Sequence, residues 1–180
     1  MGGPKALLEF AAGESFLRHL VAVFQEAQCQ VFTVVGEAAA RIQALHSDLE
    51  LIVNPGWKEG QFSSARVGLE RALERHPELV LLHPIDAPMI QPRTISLLQS
   101  RIGECDAVIP EFWGQPGHPL LLTSKGARGI LAQPNVPHLE AAVLQLSVRR
   151  CAVDDRGVVQ NLNTPEEYEA GFRHPLRWVT

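Results

Sequence analysis

Apolar positions along the chain switch repeatedly between a spacing of three and four residues and short unbroken runs. Leu17, Leu20, Val21 and Phe24 recur at helical spacing and predict a helix over about 14–28. Val31-Phe32-Thr33-Val34-Val35 follows as a short buried strand closed by Gly36. A second helix is expected over 38–45 and a strand over 51–53. Residues 54–60 read as loop, punctuated by Pro55, Gly56 and Gly60. Ser63 or Ser64 can begin the next helix, which runs through Val67, Leu69 and Leu73. Leu79-Val80-Leu81-Leu82 is continuously apolar, as suits a strand covered on both faces. Pro92 suits the first turn of a helix ending near Ile102. Strands are expected over 107–110 and 120–122, then two short helices, a strand over 148–153, and a last helix from Thr164-Pro165-Glu166-Glu167. Alternation of this kind predicts an α/β fold, a mainly parallel sheet with helices on both faces.

Length changes this picture little. The 180 residues suit one domain, 1–180, and no repeat or linker divides them. Hydrophobic residues are 46% and charged residues 20%, the balance of an ordinary globular chain. A net charge of −4 argues against holding nucleic acid by bulk electrostatics. No apolar run approaches membrane-spanning length and no signal-peptide pattern opens the chain, so the cytoplasm is the expected compartment. Cys29, Cys105 and Cys151 are widely spaced and odd in number, which predicts reduced thiols rather than a disulfide or zinc framework.

Three segments carry candidate chemistry. Met1-Gly2-Gly3-Pro4-Lys5 combines glycines that let a backbone approach a polyphosphate with a lysine that supplies a point charge. A surface lysine near a chain end is the plainer reading of Lys5. Asp86 follows the strand over 79–82 in His83-Pro84-Ile85-Asp86-Ala87-Pro88, where open α/β sheets bind ligands. Its carboxylate can hold Mg²⁺ on a phosphate or can cap a turn. In Asn161-Leu162-Asn163-Thr164-Pro165, Thr164 or Asn163 caps the last helix, and the two asparagines alternate toward one side of the backbone. Two further places stand out: Asn54 with Gly60, Ser63 and Ser64 at a helix N-terminus that can face an anion, and His118 in Gly114-Gln115-Pro116-Gly117-His118-Pro119. Ala11-Ala12-Gly13-Glu14-Ser15 reads as a turn and helix start.

In order, these motifs resemble the nucleotidyltransferases of the molybdenum-cofactor type. Gly2-Gly3-Pro4-Lys5 resembles the end of that family's Leu-Ala-Ala-Gly-x-Ser-x-Arg-Met-Gly-x-Pro-Lys signature, and the likeness runs to about Tyr168. The resemblance implies a Rossmann-like nucleotidyltransferase fold. It makes Gly2, Gly3, Lys5, Asn54, Gly60, Ser63, Ser64 and Asp86 nucleotide-binding, with Lys5 and Asp86 catalytic. Asp86, Asn163 and Asn161 would hold Mg²⁺, and His118 would touch the second substrate. The Gly-His-Pro element resembles the cytidylyltransferase branch, which implies CTP and a phosphorylated pterin acceptor in molybdenum cofactor biosynthesis. A guanylyltransferase using GTP is the nearer alternative, and a non-catalytic nucleotide- or partner-binding relative the further one. The signature residues before Met are not in this sequence, so a central strand and the Ala-Ala-Gly loop are expected to be missing, leaving a gap in the sheet and weak CTP binding.

Overall fold

The computed structural model describes residues 2–179; Met1, which opens the glycine–lysine segment, lies outside them. Lys5–Leu7 forms one 3-10 turn, and Glu9–Ala11 (β1) folds back on Glu14–Ser15 (β2) as a small hairpin. Ser15 then caps helix α1, Phe16–Glu26, by accepting from the Arg18 backbone N–H. The Ala-Ala-Gly stretch is therefore a turn and a helix start. Helix α1 buries Phe16, Leu17, Leu20, Val21, Val23 and Phe24, each worth about 1.5–3 kcal/mol relative to exposure.

Strand β3 (Thr33–Val35), helix α2 (Ala39–Leu45) and strand β4 (Leu51–Val53) make a right-sized crossover unit, and β3 pairs with β4 in parallel. Helix α3 covers Gln61–Leu73 and begins two residues before Ser63. Gly60 takes the capping position with φ 105°, a left-handed conformation that favours glycine, so neither serine caps this helix. Strand β5 (Leu79–Leu82), helix α4 (Pro92–Ser100), strands β6 (Ala107–Phe112), β7 (Gln115–Pro116) and β8 (Leu120–Thr123) follow. Helices α5 (Ser124–Leu131) and α6 (Leu139–Val143), strand β9 (Val148–Ala152) and helix α7 (Pro165–Phe172) complete the order.

The α/β class holds, but the sheet is mixed rather than mainly parallel. Strand β8 runs antiparallel to both β5 and β6, while β9 runs parallel to β6. The reversal begins at Trp113 and Gly114, both at positive φ, which close a two-residue hairpin between β6 and β7. A connection that short permits only antiparallel pairing.

The sheet is also in two pieces. The β3–β4 pair forms no ladder with the five-stranded sheet among the described residues, although α3 packs on both β3 and β5. The sheet is thus interrupted between β3 and β5 among the described residues. Two apolar clusters fill the larger piece, around Val108, Leu121 and Ile95 on one face and Leu122, Leu120 and Ile130 on the other. A third, around Leu7, Val21, Val35 and Ile42, joins the smaller piece to α1 and the N-terminal segment.

Candidate active site

Lys5, Asp86 and Asn163 come together from segments far apart in the chain. The 3-10 turn at Lys5–Leu7 presents the lysine, the loop after β5 presents Asp86, and the residue before the cap of α7 presents Asn163. Lys5 Nζ donates to Asp86 Oδ2 at 3.1 Å and to Asn163 Oδ1 at 2.6 Å. The side chains of Lys5 and Asp86 are 23% and 22% exposed, open to a ligand yet shielded from bulk water.

Each member is held by its backbone. Leu162 N–H donates to the Asp86 carbonyl at 2.7 Å, tying the two loops. Thr164 accepts from Glu167 N–H, and the Glu167 carboxylate accepts from the N–H groups of Asn163 and Thr164. This capping box, with Pro165 at the first helical position, assigns the cap to Thr164 and frees the Asn163 side chain for the site.

The rest of the motif set divides. Gly2, Gly3, Lys5, Gly60 and Ser64 line a cleft of about 780 Å³ that also exposes the end of β3 and Ile85. Asn54 is buried, and its side-chain amide donates to Ser63 and Ser64 while its oxygen accepts from Gly56 N–H. It shapes the loop over α3 and is not among the residues that line the cleft. Ser63 is occupied the same way, with its hydroxyl against the Gly56 and Gly60 carbonyls. Asn161 is exposed and is not among the hydrogen-bond partners of Lys5 or Asp86 in the described residues. Residues 160–163 form no ladder, so strict alternation does not bring both asparagines to the site.

His118 lies on the Asp86 side, with its ring edge-on to His83 at 6.3 Å. Burial pushes the His118 imidazole below its ordinary value, opposed by the nearby Asp86 and Glu140 carboxylates. His83 is lowered to about 4, first by burial, against its hydrogen bond to the Ala87 carbonyl. Burial disfavours the charged form of both rings.

Two contributors had no motif to announce them. Arg41, on α2, is exposed at the wall of the cleft and pairs with no carboxylate among the described residues. Trp57 closes the floor over Gly36, where a Cβ would sit 2.7 Å from the tryptophan Cβ.

Among the described residues no three His, Cys, Asp or Glu side chains converge as a metal cluster. The oxygen donors that do converge are Asp86 and Asn163, and here they share one ammonium group. Two protein oxygens with phosphate and water completing the shell suit magnesium chemistry.

The MobA-like NTP transferase domain matches residues 1–148. The chain belongs to that family. It is 23% identical over 127 residues to the molybdenum cofactor cytidylyltransferase of Escherichia coli K12, covering 69% of this chain and 63% of the relative's length. A crystal structure of Rv0371c from Mycobacterium tuberculosis in complex with manganese superposes with a TM-score of 0.76 at 20% identity, covering 96% of this chain and 94% of that one. Molybdopterin-guanine dinucleotide biosynthesis protein A from Archaeoglobus fulgidus gives 0.69 at 18% identity, with 96% and 90% covered. The MobA-like fold is shared with these structures. No helix among the described residues is long and apolar enough to cross a membrane.

Proposed function

We propose that this protein is a nucleotidyltransferase that moves CMP from CTP to a phosphorylated pterin, releasing pyrophosphate. The observation that carries the reading is the meeting of Lys5 with Asp86 and Asn163, contributed by three separate segments, at the mouth of a cleft walled by Gly2 and Gly3. Support for the cytidylyl branch comes from the Gly117-His118-Pro119 loop beside Asp86 and from the likeness to the cytidylyltransferase of E. coli.

In this reading an oxygen of the acceptor's terminal phosphate attacks the α-phosphorus. The new P–O bond forms as the bond from the α-phosphorus to the bridging oxygen breaks, and that electron pair leaves with pyrophosphate. Lys5 exchanges its carboxylate and amide partners for the triphosphate and offsets charge as it builds. Asp86 and Asn163 would hold the magnesium ion, which supplies charge neutralisation on the phosphates. Glycine backbone at Gly2 and Gly3 allows close approach, and Asn54 keeps the loop before α3 in place. His118 offers a hydrogen bond to the acceptor side. The protein's main contribution is positioning in line, since phosphoryl chemistry of this kind asks little covalent work of it.

Thermal stabilisation by CTP, GTP and ATP, each with Mg²⁺, tests the reading. A ligand at one hundred times its dissociation constant contributes about 2.7 kcal/mol to the native state. CTP should raise Tm most, and only with the divalent ion. A larger rise with GTP would turn the proposal to the guanylyl branch, and no rise with any of the three would overturn it.

A further inference from the structure

The segment that carries Lys5 is clamped by residues 177–179. The Glu9 backbone N–H donates to the Arg177 carbonyl and Val179 N–H donates to the Leu7 carbonyl, both at 2.9 Å. Leu8 and Trp178 sit opposite each other as an antiparallel bridge between these bonds. On the other side of Lys5, the Trp178 indole lies against Gly3: a Cβ there would stand 3.0 Å from its Nε1 and 3.2 Å from the adjoining ring carbon. The lysine is thus held both two residues before, by a ring, and two to four residues after, by main-chain hydrogen bonds.

The clamp is joined to the rest of the site. Tyr168 is fully buried, and its hydroxyl donates to the Glu9 carbonyl at 2.7 Å. Tyr168 belongs to α7, the helix whose capping box holds Asn163. The same helix therefore steadies Asn163 at its start and, through Tyr168, Glu9, the neighbour of the Leu8 that bridges to Trp178.

The geometry points to Trp178 as a positioning residue for Lys5, one that sets the affinity for the triphosphate by fixing the Gly2–Lys5 backbone. The inference rests on the proposed function for its kinetic consequence, and on the clamp itself for its structural one. Trp178 is not among the residues that line the cleft beside Lys5. A polyphosphate site built from main-chain N–H groups and one lysine depends on backbone placement, and Gly2 and Gly3 have the freedom to lose it once the ring is removed. Shape rather than hydrogen bonding is what the indole provides. Its Nε1 is buried and meets no acceptor among the described residues, so phenylalanine should fill the place without losing a bond.

The test compares Trp178→Ala, Trp178→Phe and Gly3→Ala in the full chain, read by amide hydrogen exchange and by steady-state kinetics with CTP and Mg²⁺. In Trp178→Ala, exchange should speed up over residues 2–8 and stay unchanged over β5, β6 and β8. KM for the nucleotide should rise about tenfold while KM for the acceptor stays within about twofold, since misplacement of a phosphate-binding group acts on its own ligand. Trp178→Phe should recover most of the loss. Read by hydrogen exchange, Gly3→Ala should loosen residues 2–8 of the native chain and add little once Trp178→Ala is present, because for the clamp the two changes break one contact. An unselective rise in exchange, an equal effect on both substrates, or additive losses in the double variant would overturn the inference. Should the native chain bind no nucleotide at all, the proposed function falls, and the exchange pattern alone decides whether the clamp exists.

Discussion

The two pieces of the sheet are built differently, and the site sits on the seam between them. The five-stranded piece packs Val108 and Leu121 on one face and Leu122 and Ile130 on the other, all fully buried. The β3–β4 piece has one three-residue ladder and shares its apolar cluster with the N-terminal segment. Asp86 and His118 come from the first piece, whereas the cleft wall with Arg41, Gly60 and Ser64 comes from the second. Lys5 reaches from one side to the other. Such a division teaches that the Asp86 loop is fixed by a deep core, while the β3–β4 side of the cleft is held by few contacts and is the easier half to displace.

Replacing Asp86 with asparagine should break the comparison at its strongest point. Transfer measured by pyrophosphate release is expected to fall by a factor on the order of 10²–10³, the scale of losing one preorganised charge-stabilising group. Tm should change little, because the side chain is part-exposed at the mouth of the cleft. Retention of full Mg²⁺-dependent transfer would remove Asp86 from the mechanism.

Core truncation sharpens the contrast in stability. Leu121→Ala should cost about 3–4 kcal/mol, as a fully buried leucine with neighbours on every side leaves a cavity that cannot collapse. Ile42→Ala, on α2 beside the cleft, should cost nearer 2 kcal/mol because its surroundings can relax toward the opening. Urea unfolding of both variants reads the difference, and a reversed order would mean that the smaller piece is the better packed.

Acid should act on the larger piece through His83. Its folded pKa near 4 lies below the ordinary imidazole value of 6.5, so the unfolded chain binds the proton more tightly. Stability is therefore full above pH 6.5 and lost as pH falls toward 4, amounting to about 2 kcal/mol between pH 7 and pH 5. Unfolding midpoints over that range should drop in the native chain and flatten in His83→Leu; parallel slopes would show that other groups carry the acid sensitivity.

The smallest effect belongs to Arg41→Ala. An exposed guanidinium at the cleft wall should contribute about 1 kcal/mol to nucleotide binding, or three- to tenfold in KM, with the loss shrinking as salt is raised. A salt-independent loss would point to a packing role instead.

Much of the local architecture was legible in the sequence. The apolar runs at 51–53 and 79–82 became strands with those limits, because short unbroken apolar runs bounded by turn residues are too short for a helix and suit a strand. Helix α1 followed from the spacing of Leu17, Leu20, Val21 and Phe24, and Thr164-Pro165-Glu166-Glu167 gave the start of α7. Candidate chemistry was legible as residue types: a lysine after glycines, an aspartate after a strand, an asparagine before a cap. Their meeting was not, since Lys5 and Asn163 are separated by 158 positions and nothing local measures the distance between them.

Tertiary structure decided the rest. It brought Asn163 rather than Asn161 to Lys5, turned Asn54 and Ser63 inward as braces, and set the start of α3 at Gln61 behind Gly60, because hydrogen bonds across the loop outweigh the preference of any one residue. It reversed the sheet at Trp113 and Gly114, where a two-residue turn overrode the parallel alternation that the helices suggested. It also paired residues 177–179 with residues 7–9. Periodicity by itself determined which stretches are helix or strand and which faces are apolar, for these depend on neighbours three or four residues away. Which distant backbone groups satisfy one another, and so which polar side chains are left free for chemistry, depends on contacts across the whole chain and exists only once it has folded.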